Sequence, residues 1–108
     1  MAQMIDRRTL LKRVKKAVQE LAPGAEIVLY GSRAMGTARP DSDWDFLILL
    51  PMPVSKTLEM QIKDCLYNIE LETDTVLSSI IRSKQEWLSE RYAVIPLRQQ
   101  VETYGVAI

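Results

Sequence analysis

The sequence predicts one small α/β domain with a mixed β-sheet and with helices packed mainly on one face of that sheet. Short apolar runs of strand composition alternate with longer segments of helical periodicity, which is the pattern of an α/β fold. The chain has 108 residues, enough for a single hydrophobic core but not for two, so we expect residues 1–108 to form one domain. Its apolar fraction of 47% is that of a folded protein rather than a disordered one.

The first half of the chain is predicted to contain one long helix and two strands. Pro23 and Gly24 end the helix, and Pro51 and Pro53 end the second strand, because proline continues neither element. The predicted segments are a helix over 6–21, a strand over 26–30, a short helical turn over 31–36, a polar loop over 37–42 and a buried strand over 43–50.

The second half begins with a helix for which Ser55 is the expected N-cap. From about Asn68 the apolar period changes from 3.6 to 2, which predicts a strand over 68–72. A second strand-like run covers 76–81, so the two runs form either a hairpin with a turn at 73–74 or one long strand. The sequence Ser-Lys-Gln-Glu at 83–86 matches a capping box, and Pro96 and Gly105 bound a last helix.

Two residue types are scarce enough to exclude whole classes of chemistry. Cys65 is the single cysteine, which excludes an internal disulfide and any CxxC metal site. The chain contains no histidine, which excludes Ser-His-Asp catalysis and His-ligated zinc. Any chemistry must therefore rest on carboxylates, hydroxyls, lysines or arginines, a set that suits hard, oxygen-ligated metal ions.

The charge distribution limits which kinds of partner we expect for this protein. The net charge is zero, so no overall field draws the protein to nucleic acid, and we expect none as a partner. Residues 1–22 hold six Lys or Arg against two acids, and the basic face of this first helix is predicted to be solvated. No apolar run approaches 18 residues and no signal-peptide pattern is present, so we expect a cytoplasmic protein without membrane contact.

The most informative motif is a Gly-Ser pair followed by ten residues and then Asp-x-Asp. Gly31 has no Cβ, so backbone amides can approach a phosphate closely, and Ser32 can cap a short helix and donate a hydroxyl. Asp43 and Asp45 lie two apart at a strand start, so their carboxylates point to the same face and can hold divalent metals.

This combination resembles the signature of the DNA polymerase β-type nucleotidyltransferase superfamily. Residues 31–34 (Gly-Ser-Arg-Ala) and 38–43 (Ala-Arg-Pro-Asp-Ser-Asp) are especially similar to the minimal nucleotidyltransferases, small proteins often encoded beside a HEPN-domain protein. Two positions depart from the pattern. Met35 occupies a position that is often basic in relatives, and Trp44 stands where Ile or Val is usual. By strand alternation, Trp44 should face the opposite side of the sheet from the aspartates.

The resemblance also implies a third carboxylate, on the strand that follows the intervening helix. Glu70, within the apolar-acidic-apolar run 69–71, best matches that pattern and is the residue we select. The neighbouring alternatives are Asn68, Glu72 and Asp74. If Asn68 held the position, the third ligand would be neutral.

The resemblance therefore implies a nucleotidyltransferase fold and transfer of AMP from ATP to a hydroxyl, for which a tyrosine of a HEPN-type toxin is the expected acceptor. The chain would then act as the antitoxin. The alternative is an antitoxin with weak or no catalysis that neutralises its toxin by binding. The implied ligands of two Mg²⁺ ions are Asp43, Asp45 and Glu70, and the implied nucleotide-binding residues are Gly31, Ser32, Arg33 and Arg39.

Overall fold

The computed structural model describes residues 5–108, which form a four-stranded sheet with helices on both faces. The helices are α1 (Arg7–Leu21), α2 (Ser32–Met35), α3 (Lys56–Thr73), α4 (Lys84–Trp87), α5 (Glu90–Ala93) and α6 (Pro96–Tyr104). The strands are β1 (Glu26–Tyr30), β2 (Trp44–Leu50), β3 (Leu77–Ser83) and β4 (Val106–Ala107).

The sheet is mixed, with the strand order β3-β2-β1-β4. β2 pairs antiparallel with β1 and parallel with β3, and β4 adds a short antiparallel pair to β1. The connection between β2 and β3 runs through α3, as expected because parallel neighbours need a crossover. The predicted α/β class and the first two strands are confirmed.

Two apolar layers hold the sheet. The larger lies under the two long helices, where Val14 of α1 and Ile62 of α3 are fully buried together with Phe46 of β2. Fully burying a side chain of this size stabilises the fold by roughly 1.5–3 kcal/mol. The smaller layer lies on the opposite face, where Trp87 and Val101 pack on the outer side of β2. The two long helices α1 and α3 lie on one face, as predicted, and the short helices α4, α5 and α6 cover the other face.

The predicted strand over 68–72 is wrong, because these residues form the last turns of α3. Ile69 and Thr73 continue the buried stripe of this helix, and the Thr73 hydroxyl donates a hydrogen bond to the Ile69 carbonyl at 2.6 Å. Leu71, which strand alternation would bury beside Ile69, is 66% exposed. The helix ends at Thr73, its C-cap Asp74 has a left-handed backbone, and the third strand starts at Leu77. Neither the hairpin nor the single long strand forms.

Three helices begin with side-chain caps, of which those at Ser55 and Ser83 were predicted from the sequence. Asp6 accepts a hydrogen bond from the Thr9 amide, Ser55 from that of Leu58, and Ser83 from that of Glu86. Each cap pairs an amide that has no partner within its own helix.

The outer border of β3 has no further strand beside it in the described sheet. The Trp44 amide donates to the Val76 carbonyl, so by alternation the carbonyls of Ser79 and Ile81 point away from β2. Both of these carbonyls accept from basic side chains of the same chain. Lys63 Nζ lies 2.5 Å from the Ser79 oxygen, and Arg82 Nη1 lies 2.8 Å from the Ile81 oxygen.

Within residues 5–108, no helix combines the length and the apolar character needed to cross a membrane.

Candidate functional site

The two halves of the motif meet at one edge of the sheet. β1 ends at Tyr30, immediately before Gly31, and β2 begins one residue after Asp43. The antiparallel register pairs Tyr30 with Asp45, so the Gly-Ser turn lies directly beside the aspartates. Residues about a dozen positions apart in sequence therefore form one local site.

Gly31 lies directly against the carboxylate of Asp45. Its φ is 73°, a conformation that side chains rarely adopt, and a Cβ added here would collide with the Asp45 carboxylate. Glycine is thus required twice, for the turn of the chain and for the approach of the carboxylate. The glycine was predicted to admit a phosphate; in the structure its missing side chain also admits Asp45.

The electrostatics of the pair favour a bound cation. Burial, with a smaller contribution from the negative charge of Asp43, raises the pKa of Asp45 above its ordinary value. Burial likewise raises the pKa of Tyr30, to which the Asp45 charge adds. Asp43 is exposed to solvent. A divalent ion between the carboxylates would offset their repulsion. Because Asp43 is exposed, such an ion could reach the pair from solvent.

Arg33 ties the loop over 37–42 to the start of β2. Its Nη2 donates to the Ser42 carbonyl at 2.9 Å and to the Pro40 carbonyl at 3.1 Å. Its guanidinium carbon also lies 4.3 Å from the centre of the Trp44 ring, within cation–π range. These contacts hold the residue immediately before Asp43, so Arg33 positions an acid of the site.

Trp44 faces the α1–α3 side of the sheet and is 6% exposed, as strand alternation predicts. The short helix α2 differs from expectation, because Gly31 is its N-cap and Ser32 is its first residue.

Arg39 is exposed, and Ser42 Oγ accepts a hydrogen bond from the Arg39 amide at 2.8 Å within the loop. Met35, beside the site, is also exposed.

The third carboxylate is where sequence and structure disagree. Glu70 lies on α3 and not on a strand, so the alternation by which it was selected does not exist. Glu72, one of the alternatives, forms an ion pair with Arg13 of α1. Among residues 5–108, no three His, Cys, Asp or Glu side chains come together as a metal site. The structure therefore does not bring Glu70 to Asp43 and Asp45.

The residue beside Asp45 on the next strand is Ser78, which the sequence interpretation missed. The parallel register pairs Asp45 with Ser78 and Phe46 with Ser79. β3 contains no acid; its sequence is Leu-Ser-Ser-Ile-Ile-Arg-Ser. One signal in the sequence could have corrected the prediction. The helical spacing of Ile62, Leu66, Ile69 and Thr73 indicates that the helix continues to residue 73, which leaves the strand to begin after it.

The carboxylates present fit one hard divalent cation. Mg²⁺ is commonly bound through one or two carboxylates together with substrate phosphates. Asp43 and Asp45 supply such a pair. Because Gly31 has no side chain, the Asp45 carboxylate oxygen can lie next to the backbone of the Gly-Ser turn. A second ion would need further charged ligands, which the described residues do not bring together.

Comparison with known proteins agrees with this geometry. A family model described as a nucleotidyltransferase domain matches residues 11–98, which include both halves of the motif. The chain therefore belongs to the nucleotidyltransferase domain family. No curated protein matches it at a significant level.

Solved structures share the fold. A toxin–antitoxin crystal structure with AMP-PNP matches with a TM-score of 0.63 and 22% identity, over 89% of this chain and 69% of that chain. A mutant MntA–HpeT toxin–antitoxin structure matches with a TM-score of 0.60 and 20% identity, over 97% and 72%. A tri-AMPylated Shewanella oneidensis HEPN toxin in complex with an MNT antitoxin matches with a TM-score of 0.61 and 17% identity, over 94% and 71%. The family model thus confirms the predicted nucleotidyltransferase family, and the solved structures share its fold.

Proposed function

We propose that this chain is a Mg²⁺-dependent nucleotidyltransferase that transfers AMP from ATP to a hydroxyl of a HEPN-type partner protein, and so acts as an antitoxin. The observation that carries this proposal is the contact between Gly31 and the Asp45 carboxylate, with Asp43 beside it at the same sheet edge. A glycine turn that can admit phosphate and an acidic pair that can hold its counter-ion are the minimum for nucleotide binding.

The partner is proposed from the solved structures that share the fold. They are toxin–antitoxin complexes, of which one contains AMP-PNP and another a tri-AMPylated HEPN toxin. These names support a nucleotide and a protein acceptor for the present chain as well. A tyrosine hydroxyl is the acceptor that the sequence resemblance implies.

In the proposed reaction the acceptor oxygen attacks the α-phosphorus of ATP, and the bond from that phosphorus to the bridging oxygen breaks. Pyrophosphate leaves, and the proton of the hydroxyl passes to water.

Asp43 and Asp45 would hold the Mg²⁺ ion, which would neutralise phosphate charge in the transition state. The Gly31 amide and the Ser32 hydroxyl would orient the phosphates, with Arg39 able to add positive charge from the loop. Arg33 contributes by holding the loop that precedes Asp43.

A binding-only antitoxin is the second candidate, and one observation favours it. β3 places Ser78 rather than an acid beside Asp45, so the described residues include no third carboxylate at the site. A site of this kind can retain a nucleotide while transferring it slowly or not at all. Neutralisation of the toxin would then depend on the protein–protein contact alone.

Incubation of the chain with α-labelled ATP, Mg²⁺ and its HEPN-type partner separates the two candidates. We expect label on the partner with the wild-type chain. Asp43→Asn and Asp45→Asn should each reduce labelling on the order of 10³-fold, because a ligand and its charge are lost at the reacting phosphate. Both variants should keep the fold, since removing one negative charge relieves the repulsion between the carboxylates.

The outcomes are distinct. Labelling that survives either substitution would contradict the metal-assisted mechanism. Absence of label on the partner, combined with wild-type-like neutralisation by Asp43→Asn, would support the binding-only antitoxin. Asp41→Asn is the matched control, because Asp41 is an exposed acid of the same loop that lies outside the acidic pair.

A further inference from the structure

We propose that Ser78 is the third side chain of the acidic site and that its neutral hydroxyl limits the site to one divalent cation, which enters with the nucleotide. This inference rests on the proposed function and replaces the expectation of two Mg²⁺ ions for this chain. It concerns a residue that the motif does not include.

The placement of Ser78 follows from the strand register. β2 and β3 run in the same direction, and Ser78 is the register partner of Asp45. Pairing continues to the edge of the sheet, because the Trp44 amide donates to the Val76 carbonyl at 2.9 Å. On the other side of β2, Asp45 pairs with Tyr30 of β1. Tyr30, Asp45 and Ser78 therefore form a polar row across three adjacent strands.

The face on which Ser78 lies is established by its neighbours. The hydroxyl of Ser79 accepts a hydrogen bond from Lys63 of α3 at 2.6 Å, so Ser79 faces the long helices. Leu77, on the other side of Ser78, is buried in the core beneath those helices. Alternation then directs Ser78 to the opposite face, the face of Asp45.

The chemistry of a serine hydroxyl limits what this row can hold. Two metal ions in one site lie about 3.5–4 Å apart and need shared anionic ligands to offset their repulsion. A neutral hydroxyl can donate to a phosphate oxygen or weakly ligate a cation, but it supplies no charge. With two carboxylates and the phosphates of the nucleotide, the ligand set suits one ion.

The test counts ions directly rather than measuring transfer. Mn²⁺ binding to the purified chain is titrated by electron paramagnetic resonance with saturating AMP-PNP, a non-hydrolysable ATP analogue. We expect one bound Mn²⁺ per protein–nucleotide complex for the wild type and two for Ser78→Asp. Ser79→Asp is the matched control, because it adds the same charge one residue away on the opposite face and should bind one ion.

Thermal unfolding supplies a second readout that checks folding of the variants. Without metal, Ser78→Asp should melt below Ser79→Asp, because the new carboxylate faces Asp45 whereas that of Ser79→Asp faces Lys63. Mn²⁺ with AMP-PNP should remove that difference. Two ions bound to the wild type, or one ion bound to a folded Ser78→Asp, would overturn this inference alone. A wild-type chain that retained no nucleotide would overturn the proposed function and this inference with it.

Discussion

Arg33 and Arg39 were expected to act alike on the nucleotide, but the structure gives them different environments. Arg33 is half-buried and donates to carbonyls of the loop it spans, whereas the Arg39 side chain is exposed and makes no hydrogen bond within residues 5–108. A guanidinium already bound to carbonyls and stacked on Trp44 has little freedom to follow a phosphate. At the scale of single residues, Arg33 supports the site and Arg39 remains available to a ligand.

This difference predicts opposite effects of two substitutions. Arg33→Ala should lower the free energy of unfolding by about 1–3 kcal/mol, since charge-assisted hydrogen bonds and ring stacking are lost together. Arg39→Ala should leave stability within about 0.5 kcal/mol of wild type, as for most surface changes, and weaken nucleotide binding instead. Chemical denaturation and ATP titration of both variants measure the two effects. Equal destabilisation by the two substitutions would contradict the assignment of Arg33 to the loop.

The third position of the site could not be predicted because it depends on register, which is a property of two strands. Gly31, Asp43 and Asp45 are close in sequence, and the length of one loop brings them together. Ser78 meets Asp45 only after α3 has crossed the sheet, so its position depends on where that helix ends. Because α3 was predicted to end about two turns too early, Glu70 was assigned to a strand although it lies on the helix.

At the scale of elements, α3 shows how two periods can share residues. Ile69 belongs both to the helical stripe that includes Leu66 and to the alternating run 68–72. The run 68–72 taken by itself could not decide between them, since acids at 70 and 72 are polar in either structure. In the structure Thr73 is 6% exposed at the end of the buried stripe, and Glu72 forms a surface ion pair with Arg13 of α1. The other elements had unambiguous stops in proline, glycine or capping residues and were predicted, apart from the one-turn helix α5 and the two-residue strand β4.

The N-cap of α3 offers a test at this scale. Ser55→Ala should lower the free energy of unfolding by about 1 kcal/mol, because the Leu58 amide loses its acceptor. Ser55→Asn should stay close to wild type, since asparagine caps equally well. Urea denaturation of the three proteins measures both changes. A Ser55→Ala protein as stable as wild type would show that the first turn of α3 contributes little to the fold.

At the scale of the whole molecule, the two outer strands of the sheet, β3 and β4, are protected in different ways from pairing with another chain. β4 is two residues long, too short to offer a pairing template. β3 is seven residues long, but Lys63 and Arg82 bind two of its outward carbonyls, those of Ser79 and Ile81. Lysine and arginine at such positions are a common means by which proteins keep sheet edges apart.

Removal of this protection should increase self-association. Lys63→Ala exposes the Ser79 carbonyl, so we expect a larger sedimentation coefficient than wild type at high protein concentration. Lys56→Ala removes the same charge from the exposed first residue of α3 and should sediment as wild type does. Sedimentation velocity over a concentration series compares them. Identical behaviour of the two variants would show that Lys63 does not protect the edge.

The occupied carbonyls of β3 also limit how another protein can recognise this chain. Addition of a foreign strand needs a row of free backbone acceptors, and at this border two of them already bind cations from within. A protein that approached here would have to displace Lys63 and Arg82 before its backbone could pair. Recognition by side chains is therefore favoured on this side of the molecule, and such recognition can change by single substitutions without disturbing the sheet.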